Sequence, residues 1–327
     1  MKSRFIVLLV IVLAATSLPG GTEVKSIDSF RTMGTVARLT VALEQGKAEK
    51  LFNAYRLECR KCMSIANLYD VQSELSRLNR NADKAPFRCS SELYKLLQAC
   101  RKAWRVSEGA FDISAKPLMD LWGFYRKHTS SMPGDKEIKN VLQKVGLEKV
   151  VFNDKEQTVY FTVPGMALDL GGIAKGWTVD NMANLLDKNT NAIIDSGGNL
   201  RIINPPGRYS VIGIRDPLQA DKIERKILVQ NGSCSTSGGY ERFVVYNNRR
   251  YAHIMDPATG YPVGKHLAVT VITPLALDAD WMSTAVFIRG KSLAEKITRM
   301  YPGTTVYIYS GSAADNSVSV EVFTGRK

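Results

Sequence analysis

Helix-period and strand-period stretches in this chain cluster rather than alternate, and that ordering limits the folds it can adopt. An open parallel sheet needs a helix after nearly every strand, so the clustering points to an α+β fold and against a doubly wound parallel sheet. Residues 35–43 set Thr35, Ala37, Leu39, Val41 and Leu43 on one face, the mark of a half-buried strand. A helix is predicted over 47–67. Another starts from a Ser90/Ser91 cap, carries Leu93, Leu96, Leu97 and Cys100, and stops near Gly109. A shorter helix covers 136–145. Strand-like runs follow at 150–152, 159–163, 192–195, 211–215, 226–229, 242–246, 251–255, 268–272, 305–309 and 318–323. Two helices interrupt them: 173–186, with Val179, Met182, Ala183 and Leu186 on one stripe, and 292–300, opening on a Ser292/Glu295 capping box. No repeat, low-complexity tract or long linker divides the 327 residues, and a 45% hydrophobic content can fill a sizeable core.

The N-terminus reads differently. Lys2 and Arg4 precede an unbroken apolar run at 5–15, and Ala15-Thr16-Ser17 offers a small-x-small cleavage site. The run is shorter than the roughly 20 residues that span a bilayer. Residues 1–17 are therefore expected to be a secretory signal peptide, with an uncleaved anchor as the alternative. No cysteine at 15–25 supports a lipid-modified leader, and no later segment reads as transmembrane. The formal charge is +13, and losing Lys2 and Arg4 with the leader leaves +11. A basic balance favours a polyanion, whether nucleic acid, anionic lipid or a phosphorylated small molecule.

Cys59, Cys62, Cys89, Cys100 and Cys234 are few and odd in number for a disulfide scaffold. The Cys59/Cys62 pair has no second pair or nearby His to make a zinc site. It shares a helical face with Leu51 and Tyr55, so buried thiols are the first reading and a disulfide or a redox role the alternatives.

Four segments hold more polar or glycine content than packing asks for. In 169–176 (DLGGIAKG), a carboxylate, two glycines and a helix start aim backbone N–H groups at an anion, with Lys175 adding charge. A tight turn with a solvated lysine explains the same residues. In 278–284 (DADWMST), Asp280 and Thr284 are four apart on a helix, so their oxygens face the same way. These are hard ligands suited to Mg²⁺; an Asp cap with a packed Thr is the alternative. In 251–262 (YAHIMDPATGYP), a strand runs into an Asp-Pro corner beside His253, a candidate base or a structural His. In 109–114 (GAFDIS), Phe111 beside Asp112 suits a planar heterocycle or a core loop equally.

The order of motifs is far more specific than any one. Met33-Gly34-Thr35, Tyr69 with 73–79 (SELSRLN), Phe111-Asp112, 169–176 (DLGGIAKG), 195–199 (DSGGN), 235–238 (STSG), 253–260 (HIMDPATG) and Asp280 with Thr284 follow one another along the chain. The chain resembles the ApbE family, the FAD:protein FMN transferases, from about residue 28 to the C-terminus. The resemblance implies a single large α+β domain of two lobes with a flavin cleft between them. It implies a Mg²⁺ held by the main-chain carbonyl of Gly172, where the family often has Ala or Ser, and by Asp280 and Thr284. Met33, Tyr69, Ala110, Phe111, Asp112, Asp169, Lys175 and Ile254 match positions that line the family's FAD site. His253 matches the residue proposed as the base for the acceptor hydroxyl.

The activity so implied is Mg²⁺-dependent transfer of FMN from FAD to a Thr or Ser hydroxyl of a target protein, releasing AMP. His253 or solvent bound at Asp280 takes the proton. A secreted FAD pyrophosphatase sharing the metal site, or a non-catalytic FAD binder, are the alternatives. The implied acceptor is a membrane-associated redox protein, and nothing ties the basic charge to nucleic acid. The expected place is outside the cytoplasm, in the periplasm, with attachment to the inner membrane if the N-terminal segment is retained.

Overall fold

The computed structural model describes residues 11–13, 25–125, 131–219, 221–312 and 317–325. In the first half it forms β1 (Ile11–Leu13), β2 (Ser26–Thr32), β3 (Thr35–Val41), α1 (Gln45–Ala66), α2 (Glu74–Asn81), β4 (Phe87–Arg88), α3 (Ser91–Val106), α4 (Lys116–Leu121), α5 (Asp135–Leu142), β5 (Val150–Asn153) and β6 (Thr158–Phe161). Then come α6 (Ala174–Ala183), β7 (Ala192–Ser196), β8 (Asn199–Ile203), β9 (Ser210–Arg215), β10 (Ile223–Val229), β11 (Gly232–Gly238), β12 (Phe243–Tyr246) and β13 (Arg249–Ala252). The chain ends in β14 (Ala268–Thr273), α7 (Ala276–Arg289), α8 (Lys291–Met300), β15 (Thr305–Ser312) and β16 (Ser317–Thr324).

An eight-stranded sheet of order β16-β15-β14-β11-β8-β7-β3-β2 forms the scaffold, and every pairing in it is antiparallel. The α+β expectation holds. β3 shows why: Ala37, Leu39 and Val41 are fully buried while their neighbours are not, the period-two pattern of a strand with one covered face. Helices α1, α6 and α7 cover that face. Three-stranded sheets β4-β6-β5 and β1-β9-β10 and the hairpin β12-β13 complete the strands. The signal-peptide reading falls mainly outside the described residues: 1–10 and 14–24, with the cleavage candidate at Ala15-Thr16-Ser17, are among those not described, and 11–13 pair with β9. No helix among the described residues is long and apolar enough to cross a membrane.

The expected N-cap of α3 is present, Ser90 Oγ accepting from Leu93 N at 3.2 Å. The capping box at Ser292 is not. α8 begins at Lys291 after Gly290, whose φ of 70° turns the chain sharply out of α7, so Ser292 lies inside the first turn. Strands β2, β4, β8 and β11 add to the pattern read from sequence. β11 (GSCSTSG) escaped because its repeat is of small and hydroxyl side chains, not apolar ones. That composition lets α7 lie close: Ser235 and Ser237 hydroxyls reach Ser283 at 3.4 and 2.8 Å.

All five cysteines are free and buried, as the thiol reading expected. Burial pushes Cys59 and Cys62 up to about 12, which leaves them protonated.

Candidate active site

A cavity of about 500 Å³ opens where the β2–β3 turn, the end of α1, the start of α6 and one face of α7 meet. Met33, Tyr69, Ala110, Phe111, Asp112, Asp169, Gly172, Lys175, His253, Ile254, Asp280 and Thr284 all line it. Residues spread over 250 positions of sequence are thus gathered at one place.

The junction of α6 and α7 sets the polar wall. Asp280 is 4% exposed, and its Oδ2 accepts from Gly176 N at 3.0 Å. A side chain at 176 could not allow this, because a Cβ there would lie 2.3 Å from Ala276 O. The start of α7 is held from α6 as well: Asp180 takes Ala276 N at 2.9 Å and Leu277 N at 2.8 Å, a cap supplied across the helix pair. Lys175 Nζ stands 3.7 Å from Asp280 Oδ1 and donates to Gly171 O at 3.2 Å. Burial raises the Asp280 carboxyl, while Lys175, the Gly176 amide and the Asn199 side chain hold it down. Thr284 Oγ1 lies one turn on, 3.2 Å from Ser237 Oγ and 3.4 Å from Asp280 O. The point where a Cβ on Gly172 would sit is 3.9 Å from that hydroxyl and 3.1 Å from Phe111, so glycine goes with a large aromatic ring here.

The anion-binding loop expected at 169–176 is less open than its glycines suggest. Gly171 N bonds to Asp169 Oδ1 at 2.9 Å, Ile173 N and Ala174 N both go to Leu170 O, and Gly176 N goes to Asp280. These amides close the turn and fix the carboxylate, which leaves Lys175 as the loop's cationic side chain. The loop is pinned from α2, where Asn79 Nδ2 donates to Leu168 O at 2.9 Å and its Oδ1 accepts from Leu168 N at 2.8 Å.

The opposite wall is apolar. Ala110, Phe111 and Ile254 are buried and Met33 half-buried. Met33 and Gly34 have φ of 51° and 71°, the left-handed pair of a two-residue hairpin turn, a costly conformation for methionine that aims β2 and β3 back to back. Tyr69 is 66% exposed at the rim, edge-on to Tyr125 at 5.9 Å. The Tyr125 hydroxyl donates to Asp169 Oδ2. Asp112 serves the wall itself: its carboxylate accepts from Ser114 N, Ser114 Oγ, Trp104 Nε1 and Leu147 N at 2.6–3.1 Å, with burial pushing it up.

His253 follows β13 and lies half-buried in the cavity wall. Burial, then Arg242, pushes its imidazole down to about 4, so it is neutral at pH 7. Nδ1 is 3.3 Å from Arg242 O, and a carbonyl only accepts. The tautomer with the proton on Nδ1 leaves the Nε2 lone pair free as a base. Glu241, also in the wall, is pushed up to about 7 by burial, with Lys175 and Arg242 opposing and Asp280 adding.

Sequence reasoning did not single out Glu241, Arg242, Tyr125, Asn199 or Ser237 as site residues, though all line the cavity. Asn199 and Ser237 lay within quoted motifs; the other three carry no spacing signal. Among the described residues no three His, Cys, Asp or Glu side chains converge as a metal cluster.

Compared with known proteins, the chain matches the ApbE family over residues 33–308. A FAD:protein FMN transferase of Haemophilus influenzae is 31% identical over 291 residues, covering 84% of each chain. One of Treponema pallidum is 31% identical over 297 residues, 83% of this chain and 80% of the other. Among solved structures, the ApbE protein of Thermotoga maritima superimposes with a TM-score of 0.82 at 30% identity, covering 90% of this chain and 96% of that one. The flavin transferase ApbE of Vibrio cholerae gives 0.81 at 25% identity, over 92% and 97%.

Proposed function

The chain belongs to the ApbE family, and from that membership we infer that it is an enzyme transferring FMN from FAD to a target protein. The observation that carries this inference to particular residues is the convergence, in one cavity, of an apolar wall for a flat ring with a buried carboxylate, a hydroxyl and a lysine for a charged one.

We place the isoalloxazine against Met33, Phe111 and Ile254, with Tyr69 at the rim and Asp169 and Lys175 toward the phosphates. The oxygens of Asp280, Thr284 and Gly172 fit a Mg²⁺ by their chemistry: hard donors, one of them a buried carboxylate whose ionised form burial alone disfavours. When bound, the cation would neutralise charge on the pyrophosphate. Lys175 adds a second positive charge where negative charge develops on the phosphates. The acceptor, a Thr or Ser hydroxyl, loses its proton to His253 Nε2. Its oxygen attacks the riboflavin-side phosphorus, the pyrophosphate bond breaks, and AMP leaves with FMN held as a phosphoester. Ala110 and Asp112 shape the loop under the ring rather than meet the phosphates.

A membrane-associated redox protein as acceptor, and an exported, periplasmic setting, fit the apolar leader at 5–15. Release of AMP from FAD and Mg²⁺, with and without an acceptor domain, tests the reading. Acceptor-dependent AMP that disappears in Asp280→Ala supports it. Acceptor-independent AMP makes the protein a pyrophosphatase, and no AMP at all overturns both.

A further inference from the structure

The segment 195–199 enters none of the roles above, yet it ends inside the cavity. Strands β7 and β8 are joined through Gly197 and Gly198, whose φ of 61° and 90° give the two-residue turn that suits the twist of paired strands. Asp195 Oδ1 accepts from Gly198 N at 2.9 Å and fixes the turn from within. Gly197 is pressed so closely on the β2–β3 turn that a Cβ would lie 2.4 Å from Thr35 Oγ1. Asn199, the first residue after the turn, therefore has little freedom to move.

Its side chain is 3% exposed and lines the cavity beside Asp280. The Asn199 side chain hydrogen-bonds to Asp280. A carboxylate beside Lys175 accepts and does not donate, so the amide nitrogen is the end facing it. The amide oxygen is then left over. Oδ1 is buried and has no hydrogen-bond partner among the described residues. A buried acceptor without a donor is unusual enough to ask what supplies one.

We propose that Asn199 is a positioning residue of the cation site, its Nδ2 holding Asp280 and its Oδ1 accepting a hydrogen bond from water that the cation carries. The proposal rests on the reading that Asp280 and Thr284 hold a divalent cation. The oxygen is a neutral, hard acceptor, as a water bound to Mg²⁺ requires of a neighbour. It also explains why a strand whose other buried side chains are apolar begins on an amide: Leu200, Ile202 and Ile203 are buried.

The test is a titration of the full chain with Mn²⁺, following the free ion by electron paramagnetic resonance, in the absence of FAD. Asn199→Ala should weaken binding 10- to 100-fold, as loss of a partner behind a metal ligand does. Asn199→Gln keeps both the amide donor and the amide oxygen, and should bind more tightly than Asn199→Ala. Circular dichroism melts in EDTA establish that both variants fold; if Asn199→Ala does not, binding by Asn199→Gln as weak as that of Asp280→Ala overturns the proposal by itself. Asn199→Ala binding within twofold of the wild type, with Asp280→Ala binding lost, overturns the role of Asn199 and leaves the cation site standing. Undiminished binding by Asp280→Ala removes the cation site, and this proposal with it. An Asn199→Ala effect confined to the KM for FAD assigns Oδ1 to the nucleotide instead and also overturns it.

Discussion

Gly176→Ala perturbs the closest backbone approach behind the site. The added methyl would lie 2.3 Å from Ala276 O, 2.7 Å from Ala276 C and 2.8 Å from Leu277 Cα, all of them backbone atoms that cannot rotate away. Restoring ordinary contact asks the first turn of α7 to recede by about 1 Å, an overpacking that costs about 1–3 kcal/mol. Alanine's better helix propensity offsets about 1 kcal/mol of this. The net loss of up to about 2 kcal/mol lowers the melting temperature by up to about 3 °C in a chain of this size. The same shift pulls Asp280 from its 3.0 Å bond to the Gly176 amide and from Lys175. A misplacement of that size lowers turnover by about 100-fold. Gly46→Ala is the control: Gly46 lies in α1 with nothing within 4 Å of its missing Cβ, so the substitution should stabilise by up to about 1 kcal/mol and leave activity alone. Thermal melts and AMP release on the two variants decide the matter. A Gly176→Ala protein that melts and turns over like the wild type refutes the close packing of α6 on α7 as the device that places Asp280.

Asp180→Ala removes both hydrogen bonds to the start of α7 and should cost about 2–3 kcal/mol, read as a lower urea midpoint; an unchanged midpoint would mean that α7 needs no cap from α6. His253 has its pKa depressed from 6.5 to about 4, so the unfolded chain takes its proton first as pH falls. Its contribution to stability is complete above pH 6.5 and is lost progressively down to about pH 4, by up to about 3 kcal/mol. His253→Gln should flatten that part of the pH–stability curve, and an equally steep fall would place the titration elsewhere. The buried thiols, with Cys59, Cys62, Cys89 and Cys234 pushed up to about 12, should resist a maleimide at pH 7 until the protein unfolds, when all five react; labelling of Cys62 in the folded protein would contradict its burial.

Sequence pattern revealed those parts of the fold whose signal is apolar. β3 and α3 were legible because their buried faces repeat at two and 3.6 residues and because Ser90 caps as a serine should. β11 was not, since a central strand can also be built from hydroxyls when a helix must lie against it closely. The segments that line the cavity were legible as an ordered set of motifs, far more than as single patterns. What spacing could not give was which polar groups are already engaged. Asp112 and the amides of Gly171, Ile173, Ala174 and Gly176 look available in the sequence and are bonded within the protein, whereas Asn199 looks like part of a turn and holds an acceptor with no partner among the described residues. Glu241 and Arg242, just before β12, enter the wall beside Lys175 and His253, a placement with no local trace in the sequence.

The central claim is that this cavity delivers FMN to a protein hydroxyl rather than to water. Intact-mass measurement of an acceptor domain, incubated with the enzyme, FAD and Mg²⁺, tests it most directly. The account predicts a gain of one FMN less a water on a single Thr or Ser, matched by one AMP, and no gain with Asp280→Ala. An acceptor of unchanged mass in a reaction that still releases AMP would contradict it.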